Sequence, residues 1–146
     1  MPSPHAPLAL DSARAALELL VDCFADAPEA LTLILCERPG GGGLVLPLDG
    51  GDGSAMQTEH FAEVVLGAIR TTPCRVVLGS WHDGDPLTIA EADLAAWRRL
   101  RAAFAPTRAQ LLDWFVLDEA GFARSLAETT APPTPWHLAS DVASDV

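Results

Sequence analysis

The sequence has no lysine and no tyrosine. Its nine basic residues are all arginine, set against twenty acids, and the formal net charge is −11. Phosphate contacts need clustered Lys and Arg, so this composition excludes a nucleic-acid-binding face. It equally excludes docking on an anionic membrane surface. No apolar run approaches the ~18 residues that a membrane-spanning helix needs. The stretch Met1 to Pro7 lacks the basic segment of a signal peptide, so none is expected. Cysteine is scarce: Cys23, Cys36 and Cys74 are odd in number, far apart, and each set in an apolar run. They read as buried reduced thiols in a cytoplasmic protein, not as a disulfide framework or a CxxC metal site. There is no repeat.

What is present is apolar enough to fold. Hydrophobic residues make up 49% of 146, which excludes wholesale disorder and fits one domain. Residues 1–10 read as a flexible N-terminal arm, 11–127 as the domain, and 128–146, with three prolines among small and acidic residues, as a disordered tail. Asp11 offers an N-cap to a first helix carrying Leu17, Leu20, Val21 and Phe24, which Pro28 ends. ALTLILC (30–36) and LVLPL (44–48) read as a hairpin across a four-glycine turn, with Pro47 pointing to an edge strand. Thr58 can cap a second helix with Phe61, Val64, Val65 and Ile69. CRVVL (74–78) is a third strand. Thr88 and Glu91 form a capping box for a third helix, which carries Leu94, Trp97, Leu100 and Phe104. LLDWFVL (111–117) and 122–126 complete the order α-β-β-α-β-α-β-β. That is an α+β fold of mixed α/β layers, a central sheet flanked by helices.

Chemistry concentrates in GSWHDGDPLTIAEADLAAWRRL, residues 79–100. Ser80 and His82 are two apart near a strand end, so their side chains share a side. On a helical wheel Asp93 falls within about 40° of Trp97, Leu100 and Phe104, an acid inside the apolar stripe. A buried carboxylate there needs a metal, an Arg or backbone donors. The alternative is a place at the stripe's rim, in water, favoured by the helix N-terminus. Elsewhere, the Gly40–Gly43 run has no following Lys-Ser/Thr and leads into a strand, so it reads as a hairpin turn rather than a phosphate loop. His60 reads as a solvated surface residue, and His5 and His137 lie in the tails with no role assigned. No Ser, His and Asp fall in a recognisable hydrolase order.

The 79–100 segment resembles the JAB/MPN metalloprotease signature, H-x-H-x7-S-x2-D, in the form found in RadC-like proteins (HNHPSGDPTPS followed by an acid). Ser80 stands at the first His, Trp81 at the Asn, His82 at the second His, Ala90 at the Ser and Asp93 at the Asp, without a gap. Arg98–Arg99–Leu100 falls where the family helix often reads RRL. Residues 111–117 resemble the RadC strand LLDHLIVG, with Trp114 at its His, and Gly121–Phe122 matches the opening of the last strand. Glu29, after Pro28 and before ALTLILC, stands where the family places its catalytic Glu.

In that family two His and one Asp hold a zinc, water takes the fourth position, the Glu is the general base and the Ser helps hold the oxyanion. Three protein ligands plus water is the usual catalytic zinc site. Here Ser80 and Ala90 remove a ligand and a supporting donor, and losing even an outer partner costs ~10–100-fold in metal affinity. The resemblance therefore implies a JAB/MPN domain with an eroded zinc centre, no cofactor, and a binding or scaffold role. The competing expectation is a metal-dependent peptidase or isopeptidase. Its ligands would be His82, Asp93 and Asp83 or Asp85, a set suited to Mn as much as zinc, with Glu29 as base. Trp81 and Trp114, standing where the family has polar groups, are expected to form an apolar patch for a protein or peptide partner. The acidic charge favours a basic partner by steering, and the resemblance makes oligomer formation an expectation too.

Overall fold

The computed structural model describes residues 10–39, 42–48, 54–82, 91–118 and 123–138, with His82 described by its backbone. Helix α1 (Ala13–Asp26) is capped by Ser12, whose Oγ accepts from the Ala15 N–H at 3.1 Å, one residue later than the Asp11 expected from sequence. Its buried stripe is Ala13, Ala16, Leu20 and Phe24, while Val21 is 51% exposed. Strands β1 (Thr32–Glu37) and β2 (Gly43–Leu48) form the expected antiparallel hairpin. Pro47 lies on β2, which among the described residues has no second neighbour, consistent with a residue that has no N–H to give a ladder.

Helix α2 (Ala55–Ile69) starts four residues earlier than a Thr58 cap would place it, because Ser54 Oγ accepts from the Gln57 N–H at 3.3 Å. Thr58 is instead buried, its hydroxyl 3.1 Å from that of Thr32 on β1. Strand β3 (Arg75–His82) runs four residues beyond the apolar CRVVL segment, carrying Ser80 and Trp81 within the ladder. Helix α3 (Glu91–Phe104) buries Ala96, Trp97, Leu100 and Phe104. Thr88, its expected cap, lies outside the described residues. Strand β4 (Gln110–Asp118) and the short β5 (Ala123–Ser125) follow, and then helix α4 (Leu126–Thr130), which the sequence pattern did not reveal.

The sheet order is β2-β1-β3-β4-β5. Among the described residues only β3 and β4 are parallel, joined through α3; the other pairings are antiparallel. The α+β class read from the sequence is thus the class of the molecule. Alternation in β1 explains its unbroken burial. Ile34 and Cys36 point into a core shared with α2, α3 and α4, while Leu33 and Leu35 point into a second core under α1. Gly79 on β3 lets α1 approach closely, since a Cβ there would lie 2.6 Å from a Leu20 methyl. Arg99 on α3 ties to Glu59 on α2 by two hydrogen bonds of 2.7 Å.

Both ends expected to be flexible contain residues that are built into the fold. Leu10 is fully buried in the α1 core. Residues 126–130 are helical, and 131–138 pack back on the domain through Trp136 and His137. Two aromatic or ring-bearing residues hidden among prolines supply contacts that composition alone does not register.

Candidate functional site

The topology gathers one end of the sheet. Thr32, at the start of β1, pairs with Ser80 near the end of β3, and the Trp81 N–H donates to the Leu31 carbonyl at 2.9 Å. His82 pairs in register with Asp118, the last residue of β4. Glu29 lies in the turn before β1 and is exposed. Asp93 sits half-buried in the first turn of α3, where a negative charge favours the helix N-terminus. The sequence reading did not single out Asp118, which is 5% exposed; its only signal was the end of an apolar strand.

Ser80 is the best-defined motif position. It is buried, and its Oγ accepts from the Trp114 indole Nε1–H at 3.0 Å. The two residues standing where the resemblance puts histidines therefore bond to each other inside the core. An indole N–H fully enclosed in protein needs an acceptor, and Ser80 supplies it. The serine oxygen is committed to that role, so the donor set present here does not fit the family's zinc ligation. Ala90, Asp83 and Asp85 lie outside the described residues. Among the described residues no group of three or more His, Cys, Asp or Glu is arranged to hold a metal ion.

The shared tryptophan patch expected from sequence does not form. Trp114 is fully buried in the core under α2 and α3, whereas Trp81 is half-buried on the opposite face, with its ring 5.4 Å from that of Phe24 on α1. Strand alternation decides this: Ser80 and Trp114 share one face of the sheet, and Trp81, next to Ser80, must take the other.

A second polar cluster went unnoticed in the sequence. Asp113, at an irregularity in the β3–β4 register, is fully buried. Its carboxylate accepts from the Trp114 and Ala127 backbone N–H groups at 2.6 and 3.1 Å, the Ser125 hydroxyl at 2.5 Å and His137 Nε2 at 2.9 Å. His137 Nδ1 accepts from the Thr134 N–H at 3.2 Å, so the ring proton facing Asp113 is on Nε2. Burial pushes the Asp113 carboxyl above the ordinary aspartate range, with the Ser125, His137 and backbone donors pulling the other way. Asp113 stands between Ser125 and His137, so the three do not form a nucleophile–base pair. Their role is to hold the chain after β5 against β4. His137 lay in a segment with no apolar periodicity, so no local pattern could have revealed it.

The cysteines are free thiols. Burial pushes Cys36 up to about 11, with a smaller contribution from nearby Cys74. Both Cys74 and the half-buried Cys23 are also raised, chiefly by burial, as inert core thiols should be. No helix among the described residues is long and apolar enough to cross a membrane. No protein-family model, curated protein or solved structure matches the chain.

Proposed function

We propose that this chain is a RadC-like JAB/MPN-fold protein whose zinc centre has been lost, and that it works in the cytoplasm as a non-catalytic binding or scaffold domain. The observation that carries this reading is the 3.0 Å bond from Trp114 Nε1 to Ser80 Oγ. It turns two positions where the resemblance puts imidazoles into a closed, internally satisfied core contact. Rebuilding a metal site around it would strip a buried indole of its acceptor, which costs ~1–3 kcal/mol before any ligand is gained. Exposed Glu29, in a turn rather than in the sheet, supports the same reading. The net charge of −11 favours a basic partner.

The second reading keeps a metal-dependent peptidase or isopeptidase, with zinc or Mn held by His82 and Asp93 with Asp83 or Asp85. One observation favours it: Asp118, buried and in register with His82, adds a carboxylate at the same strand end. Metal content of untagged protein, purified without chelator and then titrated with Zn and Mn, separates the two. The binding-domain reading expects substoichiometric metal that is unchanged in H82A. Stoichiometric metal in the wild type, lost in H82A, overturns it and restores the hydrolase.

A further inference from the structure

We propose that the free edge of β2 pairs with the same edge of a second copy of this chain, antiparallel about a twofold axis at Leu44, so that two five-stranded sheets become one. Among the described residues β2 has β1 as its one neighbour. Natural edge strands are blunted by charge, proline or a bulge. Here the chain carries no charged residue from Pro39 to Leu48. Leu44 and Val45 stand 42% and 40% exposed. Pro47 is the one blunting residue on the strand.

The hydrogen-bond pattern fixes which groups the edge offers. The Arg38 N–H donates to the Gly42 carbonyl at 2.6 Å, and the Trp81 N–H donates to the Leu31 carbonyl at 2.9 Å. Antiparallel ladders alternate residue by residue. Carried along the β1–β2 register from Arg38 and Gly42, that alternation turns the backbone of Leu44, Leu46 and Leu48 toward β1. Gly43, Val45 and Pro47 turn theirs outward. The bond between Trp81 and Leu31 gives the same answer from the other side of β1, where the odd-numbered residues face β3. The open edge therefore holds two donors, the N–H groups of Gly43 and Val45, and three acceptors, the carbonyls of Gly43, Val45 and Pro47.

These groups fit a second β2. With Leu44 on the axis, Gly43 of each copy lies opposite Val45 of the other, and each such pair exchanges both its hydrogen bonds. Every donor on both edges is then used. Pro47, with no N–H to give, falls beyond the paired stretch and stops the ladder. An axis at Val45 would instead set Pro47 opposite a Gly43 carbonyl that needs a donor, so the proline selects the first register. The side chains match as well. Leu44 lies opposite itself in the closely spaced kind of pair, with Cα atoms about 4.5 Å apart. By alternation it shares a sheet face with Leu46 and Leu48, which are partly buried against the same core as Phe61 and Val65 of α2. At about 100° per residue, Phe61 and Val65 lie about 120–160° around α2 from Glu59, which bonds to Arg99 on α3. They form the flank away from α3, on the side of β2, and Val64 beside them is 62% exposed. The axis sets the two flanks against each other above the paired leucines, covering apolar surface that one copy alone leaves in water. Each edge is consumed by the pairing, so the assembly closes at two. None of these residues belongs to the strand-end motif around Ser80, so the dimer and the function proposed above stand or fall separately.

The test uses the full chain. Sedimentation velocity of wild type over about 1–100 µM should show a dimer that grows with concentration, and a monomer throughout overturns the pairing. L44E sets like charges opposite each other on the axis. It should be monomeric over the same range, with the circular dichroism spectrum of wild type. A dimer that survives in folded L44E lies elsewhere and overturns the proposal. Cross-linking tests the register, in a C23S background that removes the half-buried native thiol and leaves the two buried ones. With oxidised glutathione, L44C should form an intermolecular disulfide, because its Cα separation on the axis suits that bond. V45C, on the other face and opposite Gly43, should stay uncoupled. Equal cross-linking of the two, or none in L44C, overturns the register whether or not L44E folds.

Discussion

Replacing Asp113 with alanine probes the clasp between β4 and the C-terminal segment. The carboxylate accepts four donors: two backbone N–H groups, the Ser125 hydroxyl and His137 Nε2. Ser125 can turn toward water, because it also caps α4 at the domain surface through the Glu128 N–H. The Trp114 N–H is buried and has no such escape, and His137 is 7% exposed. Leaving a buried neutral donor without its acceptor costs ~1–3 kcal/mol, so losing the acceptor of both the Trp114 N–H and the His137 ring N–H should cost roughly 2–6 kcal/mol. For a domain of this size each kcal/mol moves Tm by roughly 2–4 °C, so the variant should melt roughly 4–24 °C lower. Calorimetry at neutral pH gives the number, and amide exchange at residues 134–138 reports whether the segment loosens with it. The pH dependence has a defined sign. Burial raises the native carboxyl above its unfolded value, so the native state holds that proton more tightly. Its contribution is full below the ordinary aspartate value and is lost as pH rises through the raised one. The gap between wild type and D113A should therefore be widest in acid and narrow with rising pH. A loss under about 0.5 kcal/mol, within what an ordinary surface substitution costs, would refute the idea that this carboxylate clasps the segment.

Three further outcomes are expected. S80A leaves the buried Trp114 indole without its acceptor and should cost ~1–3 kcal/mol in a denaturant titration; an unchanged midpoint would show that the bond stabilises nothing. G79A puts a methyl 2.6 Å from Leu20, itself fully buried, and should cost ~1–3 kcal/mol by overpacking, with a positive coupling to L20A in a double-mutant cycle. Cys36, buried and pushed up to about 11, should resist a thiol reagent in the native protein near neutral pH and label at a normal rate only once the chain is unfolded.

The element order, all five strands and three of the helices were written in local patterns. ALTLILC between two prolines, LVLPL after a glycine run, and a Trp97–Leu100–Phe104 stripe carry their own periodicity, and their burial follows from it. Cap residues were misread where two candidates competed. Ser12 and Ser54 displaced Asp11 and Thr58, because any short side chain with an acceptor oxygen near a helix start can cap it until the packed face is fixed. The motif at residues 79–100 could be aligned from sequence, but its consequences could not be read there. Whether Trp81 and Trp114 share a surface depends on how two strands pair, and alternation put them on opposite faces of the sheet.

By itself the sequence determined that this is an acidic α+β domain with an apolar core, and with the helix and strand pattern that composition and period enforce over short range. Tertiary structure alone decided the contacts that join distant positions. Ser80 meets Trp114, Asp113 meets His137, and Leu10 meets Trp136 across 34, 24 and 126 residues of chain. The physical reason is that a polar group's partner is set by which buried donor lacks an acceptor once the sheet has closed, and no local periodicity encodes that.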